Sequence, residues 1–166
     1  MSLYWRCFRI KVFISHKKED ALSALLVKRA FERLNVEAYL DVLDDTINAG
    51  GKALTDHIKN QLNSCTDIIV VMSENTKYSW WVPFEIGMSA EIDMPTASYL
   101  ISSVSLPDYL EYWPRLKNTS DIATYVSIRR QVTEYYKRNY PYSYSQSSYR
   151  SIETPVFYDQ LKRELR

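Results

Sequence analysis

The sequence predicts an α/β protein: a flavodoxin-like parallel sheet of four to five strands in the order 2-1-3-4-5, with helices on both faces. Three observations carry this expectation. Short strand-like runs alternate with helix-period segments throughout residues 9–101, the pattern that right-handed β–α–β crossovers leave in a chain. One run, DIIVVMS at 67–73, is almost continuously apolar, as a central strand covered on both faces must be. The chain has 166 residues, 46% of them hydrophobic and 25% charged, enough for one domain with its own core. At that size the order 2-1-3-4-5 is the natural arrangement.

The elements follow in order. RIKVFIS (9–15) is the first strand and runs into a polar loop, HKKED, whose Asp20 is placed to cap the next helix. DALSALLVKRAFERLN has Leu22, Leu25, Leu26, Ala30, Phe31 and Leu34 at helical spacing, which predicts one buried stripe. VEAYLDV is a second strand, and LDDTINAGG a polar loop with Gly50-Gly51 as its turn signal. KALTDHIKNQLNSC is a second helix with Leu54, Ile58 and Leu62 on one face. After the central strand and the loop ENTKYS, a third helix opens within SWWVPFEIGM (79–88). Ser79 suits its N-cap, and Pro83 is tolerable only in a first turn. TASYLIS is a fourth strand, LPDYLEYW a short helix or turn, and SDIATYVSIRRQVTEYYKR a long helix with Ile122, Tyr125, Val126 and Val132 inward.

Residues 1–138 are expected to form the domain. Residues 139–166 differ in character, with seven of the 14 tyrosines falling between Tyr135 and Tyr158. The stretch NYPYSYSQSSYRS has no helical period. It predicts a tyrosine-rich extension, packed on the domain or trailing from it and closed by a short helix around FYDQLKREL.

Composition narrows the function. A net charge of +1 makes no electrostatic case for nucleic acid or an anionic membrane. No apolar run reaches the ~18–20 residues of a membrane span, and the N-terminus lacks the apolar core of a signal peptide. Cys7 and Cys65 are the only cysteines, which makes neither a disulfide framework nor a zinc site, so a cytoplasmic location is expected. His16 and His57 stand alone in sequence, and no metal site is expected. The three glycines, Gly50, Gly51 and Gly87, complete neither a G-x-G-x-x-G loop nor a phosphate-cradling G-x-x-x-x-G-K-[ST] loop.

In an open parallel sheet, ligands bind at the carboxyl ends of the strands where the order reverses, here between the first and third strands. The first strand ends in Ser15-His16-Lys17, and the third leads through Met72-Ser73 to the helix that carries Glu85. Trp81 and Glu85, four residues apart, share a helix face. A helix N-terminus favours an ionised carboxylate, whereas apolar surroundings favour the neutral acid, and the residues alone leave that balance open. They also admit a plainer account, in which Glu85 is a half-exposed, dipole-favouring glutamate and the two tryptophans are packing residues.

KVFISHKKED, then YLDVLDDTINAGGKALTDHIKNQL, then CTDIIVVMSENTKYSWWVPFEIG resemble the three successive signatures of TIR (Toll/interleukin-1 receptor) domains. The resemblance covers roughly residues 9–105, with weaker support to about 135. Some members of that family are adaptors that signal by assembling; others cleave NAD+ at the nicotinamide–ribose bond. The resemblance implies that Glu85 is the catalytic acid and that the W-x-x-x-E spelling, Trp81 to Glu85, is of the bacterial kind. It implies a substrate site lined by Phe13, Ser15, His16, Lys17, Ser79 and Trp81, with Lys17 beside a phosphate. It also implies an assembly loop, the BB loop, carrying Asp44, Asp45, Gly50, Gly51 and Lys52. His16 and Lys17 stand where other residues are common after F-I-S, and the proline of many animal-receptor BB loops is missing from INAGGK.

NAD+ is then substrate rather than cofactor. The expected products are nicotinamide with ADP-ribose or a cyclic ADP-ribose isomer, in bacterial antiphage signalling of the Thoeris type. The expected partners are further copies of the chain and a separate effector that senses the product. Rival readings are a non-catalytic TIR interaction module and a nucleoside deoxyribosyltransferase-like N-glycosidic enzyme. A phosphoacceptor receiver domain shares the fold, but SHKKED begins with the wrong charges for its acid cluster.

Overall fold

The structure is a computed structural model that describes residues 9–40, 51–140 and 146–165. Five parallel strands form one sheet: β1 (Lys11–Ser15), β2 (Glu37–Leu40), β3 (Asp67–Met72), β4 (Thr96–Leu100) and β5 (Arg115–Leu116). Their order is β2-β1-β3-β4-β5, as the alternating pattern predicts. The helices are α1 (Ala21–Arg33), α2 (Gly51–Asn63), α3 (Trp81–Glu91), α4 (Thr119–Asn139) and α5 (Gln146–Glu164).

Strand alternation divides the core. Val12 and Ile14 of β1 and Ile69 and Val71 of β3 face α1, α4 and α5. Phe13 and Ile68 face α2 and the near side of α3, while Val70 and Met72 meet Val82 and Ile86 of α3. Every residue of β3 is buried, which is why that strand reads as a continuous apolar run. With so few glycines, the chain reverses at the ends of α1 and α3 on Asn35 and Asp93, with φ of 56° and 50°. Short polar side chains are the ones best suited to that left-handed conformation.

Three local expectations are corrected. The buried stripe of α1 is Ala24, Val27, Ala30 and Phe31, while Leu22 and Leu26 are 81% and 64% exposed. Ala30 and Phe31 of the expected stripe are buried, and Ala24 and Val27 complete it in place of those two leucines. Asp20 makes no side-chain cap to α1; its carboxylate is turned inward. The C-terminal helix is not short, since α5 has 19 residues with Pro155 inside it. Its Phe157, Tyr158 and Leu161 belong to the same core cluster as α1 and α4.

Polar contacts also hold α5. The Tyr158 hydroxyl accepts from the Thr96 amide at 2.8 Å, and Thr154 Oγ1 donates to the Asp93 carbonyl at 2.9 Å. Beneath them lies a buried charged network. Asp67, at the start of β3 and fully buried, accepts from Arg129 Nε at 2.8 Å and from the Tyr125 hydroxyl at 2.9 Å. Arg129 of α4 also donates to Glu153 of α5. Burial opposes the Arg129 charge, but Asp67 and Glu153 outweigh it and hold the guanidinium above its ordinary value.

Candidate active site

Strand order reverses between β1 and β3, and the carboxyl ends of those two strands are where an open parallel sheet offers its ligand crevice. Ser15, the last residue of β1, is fully buried there. The chain leaves β3 through Ser73 and a short 3-10 turn, Thr76–Tyr78, and enters α3. Ser79 Oγ accepts from the Trp81 and Val82 amides at 3.2 and 3.3 Å and so starts the helix. Pro83 is the third residue of α3, where its missing N–H costs no helix bond.

Packing then decides where Glu85 points. Trp81 and Met88 seat on the cluster around Phe13 and Ile58, while Val82 and Ile86 seat on Val70 and Met72. Glu85 lies on the helix face between those two sets and is driven inward to 1% exposure. The Ser15 hydroxyl donates to Glu85 Oε2 across 70 residues of sequence. A buried carboxylate is costly unless hydrogen-bonded, and Ser15 supplies that bond from a rigid strand.

The other expected residues separate into two groups. His16 and Lys17 continue from Ser15 at the same sheet edge, both half-buried, and Lys17 Nζ lies 3.1 Å from Glu19 Oε1. Trp81 is half-buried, its ring 5.1 Å from that of Phe84. Its buried indole N–H has no hydrogen-bond partner among the described residues. Phe13 has no exposed surface and packs on Tyr39, so it backs the wall instead of presenting a face. The Ser79 hydroxyl serves as the helix cap. Trp80, next to Trp81, is 95% exposed.

Of the expected assembly loop, Asp44, Asp45 and Gly50 lie outside the described residues. Gly51 and Lys52 are not loop but the first turn of α2, where Lys52 pairs with Asp56 at 2.8 Å. A cavity of about 480 Å³ between α2 and α3, lined by Leu62, Phe84, Met88 and Ile92 among others, does not include Ser15 or Glu85. Among the described residues no group of three His, Cys, Asp or Glu side chains is placed to hold a metal ion. No helix there is long and apolar enough to cross a membrane.

One feature of the crevice has no sequence signal. Asp20, after β1, is tied to Ser73 and Thr76, after β3. Partners more than 50 residues apart with polar side chains leave no periodicity to read.

The sequence profile of the TIR domain family matches residues 12–138. A protein of Bacillus cereus (strain MSX-D12), provisionally named a 3' cyclic ADP-D-ribose synthase, ThsB', is 29% identical over 79 residues, 46% of this chain and 41% of its own. One of Cytobacillus dafuensis, provisionally named a cyclic ADP-D-ribose synthase, TIR2, is 27% identical over 85 residues, 49% of this chain and 22% of its own. The matched region thus spans less than half of either curated relative. In structure, the TIR domain of the Toll-related receptor TRR-2 from Hydra magnipapillata aligns with a TM-score of 0.55 at 16% identity. That alignment covers 74% of this chain and 97% of that one, a likeness of fold.

Proposed function

Because this chain belongs to the TIR domain family, we propose that it cleaves NAD+ at the nicotinamide–ribose bond, with Glu85 as its catalytic residue. The observation that carries the reading is the buried Glu85 carboxylate, hydrogen-bonded by Ser15 where the strand order reverses. The two relatives named for cyclic ADP-ribose synthesis support the substrate class.

The chemistry suits one carboxylate. Ordinary glycosidases use two, because a departing alkoxide must be protonated. Nicotinamide leaves a cationic pyridinium as a neutral molecule, taking the electron pair of the breaking C–N bond and needing no acid. Positive charge passes to the ribose, and a preplaced anion in a dry site stabilises it as it develops. Water then adds to the ribose carbon, loses a proton and gives ADP-ribose. If an atom of the bound nucleotide attacks instead, a cyclic isomer results. Trp81, beside Glu85 on α3, offers a flat wall against which the nucleotide can fold back, and this favours the cyclic product. In this reading the protein is a cytoplasmic component of bacterial antiphage signalling, and its product is sensed by a separate effector.

Incubation of the protein with NAD+ and separation of products by mass tests the proposal. Nicotinamide is expected together with ADP-ribose or a species one water lighter. A folded protein that releases no nicotinamide at any concentration is an interaction module instead. Replacing Ser15 by alanine is expected to lower kcat about tenfold, since a hydrogen bond to a charged group is worth about 1.5–3 kcal/mol and only part of it is specific to the transition state. An unchanged kcat in Ser15→Ala would remove the serine from the mechanism.

Glu85 is 1% exposed in the single chain, so substrate reaches it only after a rearrangement. Self-association is proposed to supply that rearrangement through residues 43–52. Specific activity should therefore climb with protein concentration, and substitution of Asp44, Asp45 or Lys52 should lower it without unfolding the domain. Constant specific activity across a wide dilution series, in a protein shown by sedimentation to stay monomeric, excludes this mode of activation.

A further inference from the structure

The crevice is built from two kinds of part. Ser15 and Glu85 stand on a strand and a helix anchored in the core, whereas His16, Lys17 and Ser79 stand on the loops that follow β1 and β3. Loops are the more easily displaced of the two. Asp20 bridges these loops.

Asp20 closes the short 3-10 turn Lys18–Asp20 and is 7% exposed. Its Oδ2 accepts from Ser73 Oγ at 2.5 Å and from Thr76 Oγ1 at 2.5 Å, and Asn75 Nδ2 lies 3.5 Å from Oδ1. The Ser73 hydroxyl accepts in turn from the amides of Asn75 at 3.0 Å and Thr76 at 3.2 Å. Its backbone carbonyl accepts from the Lys77 amide at 3.0 Å. On the other side, the Asp20 amide donates to the Lys17 carbonyl at 2.8 Å, closing the turn that begins at Lys17, next to His16. A helix cap works at the surface and needs no burial. A buried carboxylate is costly unless its lone pairs are satisfied, and here the loop after β3 satisfies them.

The geometry points to Asp20 as a positioning residue: it clamps residues 73–79 against residues 17–20 and so holds the loops after β1 and β3 in fixed relation. The part of this inference that concerns substrate rests on the NAD+ reading above. Because the clamp orders the loops and not Ser15 or Glu85, its loss acts on substrate holding more than on bond breaking. Asp20→Ala is expected to raise KM for NAD+ about tenfold while kcat stays within about threefold, the pattern left when binding common to ground and transition states is lost. Asp20→Asn is expected to rescue, since one amide oxygen can accept from both hydroxyls while Asn75 turns its own amide to match. Thr76→Val removes one donor, and its effect should not add to that of Asp20→Ala, because both variants break one contact.

Hydrogen exchange read by mass spectrometry gives a second measure that does not depend on turnover. Amides in 73–80 should exchange faster in Asp20→Ala and at the wild-type rate in Asp20→Asn. Unchanged exchange there in Asp20→Ala, equal loosening in Asp20→Asn, or faster exchange with KM unmoved would each overturn the clamp. If Asp20→Ala does not fold, Ser73→Ala and Thr76→Val carry the same two measurements with the same expected directions. Were the wild-type protein to release no nicotinamide, the NAD+ reading would fall, and the exchange data would still decide whether Asp20 ties the two loops.

Discussion

Glutamine in place of Glu85 is expected to lower nicotinamide release by at least about 10²–10³-fold in kcat, the range seen when one preorganised electrostatic group is removed from an active site. The substitution keeps the side chain's shape. The amide oxygen can still accept from Ser15, so the packing of α3 against Phe13, Val70 and Met72 has no reason to change. On the proposed mechanism, what disappears is the negative charge that stabilises the developing ribose cation. Thermal melting should therefore stay close to that of the wild type while turnover collapses. Steady-state nicotinamide release, measured alongside melting, separates the two effects. A folded Glu85→Gln protein with undiminished turnover would refute the role assigned to this carboxylate.

Arg129→Met should be the most damaging single change to stability. It leaves Asp67 and Glu153 buried without their shared cation. Breaking a buried ion pair from one side typically costs about 3–5 kcal/mol, more than the pair itself contributes relative to apolar residues. For a domain of this size that corresponds to a fall in melting temperature on the order of 10 °C. Glu153 retains the Thr133 hydroxyl at 2.5 Å, and Asp67 retains Thr66 Oγ1 at 2.5 Å and Tyr125, so the domain should still form at low temperature. Adding Glu153→Gln to Arg129→Met should recover part of the loss by removing one unpaired charge. An Arg129→Met protein that melts within about 2 °C of the wild type would show that the network contributes little.

The same network sets an alkaline limit. Burial first, and then the negative Asp67, push the Tyr125 hydroxyl well above its ordinary range. The folded state thus favours neutral Tyr125. Its contribution to stability is complete below the unfolded value of about 10 and is lost as pH rises beyond it.

The order of the sheet, and the edge at which Ser15 and Glu85 come together, could be read from the chain alone. An uninterrupted apolar run made β3 the centre, and the alternation of short runs with helix-period segments made the strands parallel. Parallel order then brought Ser15 and Glu85 to one edge, although 70 residues separate them. These features are legible because hydrophobic burial is periodic along the chain and the crossover rule is general.

Three other features depend on long-range packing. In α1 the expected stripe kept Ala30 and Phe31, but packing took Ala24 and Val27 in place of Leu22 and Leu26, which are left exposed. In α5 the local pattern is polar and aromatic. The helix is held by Glu153, Thr154 and Tyr158 reaching Arg129, Asp93 and Thr96, contacts that a window of sequence cannot contain. Asp20 looks like a helix cap when read locally and becomes a clamp only when the loop after β3 is folded against it. Apolar burial can be inferred from a residue and its neighbours in the chain; a buried polar group is explained only by the partner that satisfies it, and that partner is brought there by the fold.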